Sequence, residues 1–364
     1  MSGIFRIFST VKILRYFALP ATGAQCCKTF ACKIYQPKYF SLVAGVSRIN
    51  AGNSNSGNAI IYLSGVLSFF GLEKNEEKQD ELVMTLKRSV LLMQQGDLKK
   101  AEQMLHLALR LAQERMSVDG ITYTYDLMAN LAVERGEFAK AEKLFVTVMQ
   151  RLMSSGVPEN DNKIIHMSIK LANIFAEQSF AGKNPKAAQE FLSKAQNGYD
   201  FSKERLAKKI EGGDKENDTL LLLSLAYEGE GRLLAGQDML SKAKLCYEKA
   251  LDLSEKGSDS EERISTLLSY LGSISAMQND LAIAQHYLER ALNLARKNET
   301  ENLPSILVNL GTVKMFNGVL NEARNNCKEA FNLSRKYKDS ETENEAVKCL
   351  DAVNEAFKVT NNKI

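Results

Sequence analysis

Residues 237–256 read QDMLSKAKLCYEKALDLSEK. Ala243, Tyr247 and Ala250 stand at i, i+4 and i+7, one stripe of a helix. Small residues on that stripe let a second helix approach closely, and the large one fills the gap between them. The string recurs as NDLAIAQHYLERALNLARK (279–297) and GVLNEARNNCKEAFNLSRK (318–336). Upstream it recurs as GDLKKAEQMLHLALRLA (96–112) and GEFAKAEKLFVTVMQRL (136–152), and more weakly as KNPKAAQEFLSKAQ (183–196). The corresponding triads are Ala284/Leu288/Ala291, Ala323/Cys327/Ala330, Ala101/Leu105/Ala108 and Ala188/Leu192/Ala195, with Val148 in the last slot of the copy at Ala141. Twelve residues before four of these alanines stand Ala129, Gly231, Gly272 and Gly311, again small. Gly96, Gly136 and Gly318 fall between the two helices, where a positive φ is wanted. Each unit therefore reads as a helix–turn–helix with small residues at the crossing.

This pattern resembles the tetratricopeptide repeat, whose small eighth, twentieth and twenty-seventh positions land on these residues. The resemblance covers about residues 80–335 and implies an all-α solenoid of about six units. The aromatic fourth position of the family is Tyr125 and Tyr227 here, but Leu268 and Leu307 in later units. Successive alanines are 40, 47, 55, 41 and 39 residues apart, longer than the family's roughly 34. The extra length is expected in loops at 154–161 and 211–218, with a long insertion near 199–218 and one long helix from Pro185 to about Ile210. Residues 340–357 read as a C-terminal capping helix, which a solenoid needs over its last apolar face. The array is expected over 80–357, followed by a tail at 358–364.

Residues 1–72 carry seven Lys or Arg and no Asp or Glu, which leaves 40 basic against 44 acidic residues in the rest. A mildly acidic body argues against nucleic-acid binding. A basic, hydroxyl-rich, acid-free leader is the composition of a mitochondrial transit peptide, expected over 1–48. Lys12 and Arg15 interrupt the apolar run that a secretory signal requires. Within 49–79 a polar linker precedes Ala59–Leu72, fourteen uncharged residues. As a helix these span about 21 Å, short of a bilayer's roughly 30 Å core. The segment therefore reads as lying in a membrane interface or docking on the body, with a spanning helix as the alternative.

Six cysteines and three histidines show no paired metal-ligand spacing, so no metal is expected. Cys246, Cys327 and Cys349 read as small apolar core residues in a reducing compartment. No phosphate-binding loop, H-E-x-x-H or G-x-S-x-G occurs, so neither a cofactor nor an enzyme is expected. His106 reads as a partly exposed helix residue, and Glu261/Glu262 as a helix start.

A groove lined by first helices binds extended or helical peptides in the repeat family. Residues expected to face it are Tyr123, Asp126, Asn130 and Glu134 in the second unit, and Asn309, Thr312 and Phe316 in the last. The carboxylate clamp of chaperone adaptors would need Lys and Asn where Leu86 and Val90 stand, so it is absent. A kinesin-light-chain-like cargo adaptor is the alternative, but residues 1–72 lack the heptads of its coiled coil. The stretch DGITYTYDLMANLAVERGEFAKAEKLF (119–145) resembles a mitochondrial branch of the repeat family, with transit peptide, short apolar stretch and interrupted array. That resemblance implies a factor at the inner mitochondrial membrane, matrix-facing, that supports respiratory complex III. Its implied partners are that complex and its Rieske iron–sulfur subunit or fragments of it.

Overall fold

The computed structural model describes residues 81–181, 184–214 and 216–361. The expectations for 1–48 and 59–72 lie outside these residues. The described residues form thirteen α-helices and no strand. They divide into two compact units, with the boundary at Asp214/Lys215.

The N-terminal unit holds three helix pairs: α1 (Glu81–Gln94) with α2 (Leu98–Glu114), α3 (Val118–Glu134) with α4 (Phe138–Ser154), and α5 (Asn162–Ala181) with α6 (Pro185–Glu211). The C-terminal unit holds α7 (Asn217–Gly236) with α8 (Leu240–Lys256), α9 (Glu261–Met277) with α10 (Leu281–Lys297), and α11 (Leu303–Phe316) with α12 (Leu320–Lys336). The closing helix α13 (Ser340–Asn361) packs against both α11 and α12.

The small-residue stripe does what its chemistry dictates. Ala101, Ala141, Ala243, Ala284, Ala291 and Ala323 are completely buried. A Cβ added to Gly272 would stand 2.5 Å from Leu288 Cγ, and one on Gly231 would stand 2.9 Å from Tyr247 Cε1. Any larger residue there forces the two helices apart.

The turns are equally regular. After α1, the Gly96 N–H donates to Met93 O (3.0 Å) and the Asp97 N–H to Leu92 O (2.9 Å). This Schellman closure places residue 96 at φ 76°, where glycine costs nothing. Met116, Asp238, Ser258, Asn279, Glu299 and Lys338 hold the same left-handed conformation without being glycine. Side-chain caps then restart the chain, as where Ser117 Oγ accepts the Gly120 N–H (3.1 Å) and Ser260 Oγ the Arg263 N–H (3.2 Å).

The third pair departs from the expected register. Ala188 and Leu192 are only half-buried, whereas Ala195, Tyr199 and Ser202 are fully buried. The partner of this stripe is Ala172, whose Cβ lies 2.8 Å from where a Cβ on Gly198 would be. Ala195 satisfies both triads, and the structure uses the one a heptad further on. The extra residues thus lengthen α5 and α6, to 20 and 27 residues. Residues 199–211 continue α6, and the connection to α7 is short.

Candidate peptide-binding face

The first helices of successive pairs touch one another: α1 meets α3, α9 meets α11, and α11 meets α13. They form an inner row in each unit, and that row is where the expected site residues fall.

In the N-terminal unit the row is cross-linked by charge. Lys170 Nζ on α5 donates to Asp126 Oδ1 on α3 at 2.7 Å, with the side chains 3% and 6% exposed. Asn130 Nδ2 reaches Asp126 Oδ2 at 3.4 Å, and Lys170 Nζ also stands 5.2 Å over the Phe145 ring. Tyr123 is 1% exposed, and burial, with Asp126 beside it, pushes its hydroxyl pKa up. One turn before Lys170, half-buried His166 keeps its Nε2 out of water without a hydrogen-bond partner. Burial first, and Lys170 second, hold its pKa well below the ordinary histidine value.

These positions correct the expected groove. Tyr123 is a core residue, because α3 is covered on more than one side and its stripe faces α1 and α2 rather than an open surface. Asp126 is the buried partner of Lys170, so it serves the packing of α3 on α5. Asn130 and Glu134 remain at the half-buried edge of α3.

In the C-terminal unit Asn309, Thr312 and Phe316 all lie half-buried along α11. Asn309 Nδ2 donates across to α9, to Ser273 Oγ (3.2 Å) and Ser269 Oγ (3.5 Å). The Thr312 hydroxyl donates to Val308 O at 2.8 Å. Below this stripe α9 is almost wholly buried, and several of its polar side chains are met from neighbouring segments. Asn302 donates to Ser265 Oγ (3.0 Å) and Thr266 Oγ1 (2.8 Å). Arg263 is ion-paired with Glu228 (3.1 Å) and Asp259, and donates to Ser224 Oγ (3.0 Å).

Sequence reasoning missed both buried ionic centres. One signal was legible: Lys170 and Arg263 sit inside otherwise apolar helical stripes, where a lone charge is costly without a partner. It also missed the cysteines, since Cys327 on α12 and Cys349 on α13 form a disulfide and only Cys246 of the body's three is unbridged. Among the described residues no cluster of His, Cys, Asp or Glu forms a metal site, and no helix is long and apolar enough to cross a membrane.

Paired helices with small crossings, Schellman turns and a closing helix define a tetratricopeptide repeat solenoid, a protein-binding scaffold fold. Solved structures agree on the fold. A Rap protein complexed with competence and sporulation factor has TM-score 0.54 at 13% identity, covering 91% of this chain and 87% of that one. The Cut9–Hcn1 hetero-tetramer of the APC/C has TM-score 0.51 at 14% identity, covering 96% of this chain and 58% of that one. No family model matches the chain.

Sequence relatives narrow the class. Tetratricopeptide repeat protein 19 homolog, mitochondrial, of Drosophila melanogaster is 35% identical over 284 residues, 77% of this chain and 74% of the relative. The mitochondrial tetratricopeptide repeat protein 19 of Homo sapiens is 34% identical over 275 residues, 72% and 70%. That of Mus musculus is 32% identical over 308 residues, 79% and 81%. The chain belongs to the tetratricopeptide repeat protein 19 family.

Proposed function

We propose that this chain is a non-catalytic scaffold of the inner mitochondrial membrane that supports respiratory complex III. It binds that complex and its Rieske iron–sulfur subunit, and aids the turnover of that subunit's processed fragments. What carries the reading is family membership over three quarters of the chain, with relatives named as mitochondrial. Each unit supports a binding role through a half-buried polar stripe on its own inner row: Asn130 and Glu134 on α3 in the N-terminal unit, and Asn309, Thr312 and Phe316 on α11 in the C-terminal unit. Amide and hydroxyl groups beside an aromatic ring suit the main chain and apolar side chains of an extended segment. Residues 1–48 serve as the import signal and 59–72 as the contact with the membrane surface.

The test is affinity purification of the tagged chain from mitochondria, followed by identification of co-purifying subunits. Complex III subunits, the Rieske protein among them, should be enriched. Thr312→Arg with Phe316→Glu should remove them while helical content stays parental. Absence of complex III from the parent's partners would overturn the reading, leaving the repeat scaffold alone. Retention of complex III by the double variant would move the binding face elsewhere, α6 being the next surface to test.

A further inference from the structure

Cys327 fills the large slot of its repeat triad, but its disulfide with Cys349 is required neither by the repeat pattern nor by the proposed binding face. Its sulfurs come from different helices, 22 residues apart in sequence and with Cα atoms 5.8 Å apart. Both side chains are interior, 0% and 7% exposed. Three helices converge on the pair. A Cβ on Gly311 of α11 would lie 2.7 Å from Cys327 Sγ and 3.3 Å from Cys349 Sγ, so glycine leaves the space that the bridge occupies. Thr312 Oγ1, on the same helix, is 3.8 Å from Cys349 Sγ.

Around the bridge α13 packs on both α12 and α11. Its buried side chains include Thr342, Ala346, Val353 and Ala356, with Leu350, Ala352 and Phe357 half-buried beside them. The polar ties are few: Arg324 donates to Asn354 (2.9 Å) and stacks on Phe357 (4.1 Å), and Thr342 meets Ser305 (3.3 Å). The bridge adds a covalent tie in the middle of that contact.

We propose that the Cys327–Cys349 disulfide is a reversible redox latch that holds the closing helix α13 on α11 and α12. Reduction is a thiol–disulfide exchange with a dithiol. One thiolate of the dithiol attacks Cys349 Sγ, on the more exposed of the two residues, forming a mixed disulfide and releasing Cys327 as a thiolate that takes up a proton. The second thiol of the dithiol then attacks the mixed disulfide, releasing Cys349, which also ends as a thiol. Two electrons pass from the dithiol, which leaves as a cyclic disulfide, to the two cysteines. The reverse reaction, with a disulfide oxidant such as oxidised glutathione, closes the latch. Because α13 flanks α11, the redox state of the pair sets the wall beside Ser305 and Thr312, whatever the inner row binds.

The latch is tested on the full chain by peptide mapping and hydrogen exchange. After purification without reductant, or incubation with oxidised glutathione, a map without reduction should contain one species joining the peptides of Cys327 and Cys349. Amides of 340–361 should exchange about tenfold faster after dithiothreitol, while those of α7 and α8 hold their rates. Cys349→Ala should show the fast rate from the start and no response to dithiothreitol. Because reduction perturbs the parent without a substitution, a poorly folding variant would not obscure the result. Absence of the linked species in both preparations, or equal exchange of 340–361 in the oxidised and reduced chain, would overturn the proposal.

Discussion

Asp126→Asn is the substitution that most directly weighs the interior of the N-terminal unit. Asp126 and Lys170 join α3 to α5 through a 2.7 Å ion pair whose side chains are 6% and 3% exposed. Removing the carboxylate charge leaves the Lys170 ammonium buried against a neutral amide oxygen and, farther off, the Phe145 ring. Breaking a buried pair in this way costs about 3–5 kcal/mol. The amide oxygen and the ring together return about 1 kcal/mol of that, so a net loss of about 3 kcal/mol is expected. In a cooperative unit of this size that corresponds to a fall in melting temperature of roughly 6–12 °C. Asp126→Leu with Lys170→Met removes both charges and keeps the volume, and should return the chain to within about 1 kcal/mol of the parent. Urea unfolding followed by far-UV circular dichroism of Asp126→Leu, Lys170→Met and the double gives the coupling energy directly. A single variant that melts within about 2 °C of the parent would refute the claim that this pair is desolvated.

Three further outcomes follow from the same structure. Ala291→Arg places a charge and extra volume at a fully buried crossing and should cost several kcal/mol, whereas Arg296→Ala, which removes an exposed pair with Glu329, should cost under about 0.5 kcal/mol. Equal melting temperatures for the two variants would show that the helix register is wrong. His166 is held neutral by burial, so the unfolded chain takes up its proton first; its stabilising effect is complete above the ordinary histidine range and is lost as pH falls through it. Melting curves should show the parent losing stability between pH 7 and pH 5, and His166→Gln losing less; parallel curves would contradict this. Deleting residues 1–48 should leave the chain in the cytosol by fractionation, and continued import would exclude a transit peptide there.

The fold was legible because its crossings demand small residues at fixed intervals, and Ala243, Gly231 and their equivalents can be read by eye. The same reading slipped at α6, where Ala195 belongs to two overlapping triads and only the contact of Gly198 with Ala172 decides between them. Among the described residues three of the eleven left-handed turns announced themselves, through Gly96, Gly136 and Gly318. Met116 and Glu299 did not, because their left-handed backbone is imposed by the Schellman hydrogen bonds rather than by residue preference. The binding face was legible only in part. Helical period places Tyr123 and Asp126 on the same helix as Asn130 and Glu134, yet a first helix is covered on several sides, and period alone cannot say which stripe stays open. The Cys327–Cys349 bridge had no local signature, since it depends on where α13 returns.

The closing helix has a second consequence, for how copies of the chain meet. A stack of identical helix pairs is in principle endless, since its last face matches the surface on which the first pair would sit. Here the last face carries α13, whose outward residues include Lys348, Asp351, Asn354, Glu355 and Lys358, all exposed. One copy therefore offers the next a charged wall instead of an apolar step, and head-to-tail growth into a filament is closed off at that end. The same twenty-two residues that finish the fold also act as its chain terminator in the polymer sense.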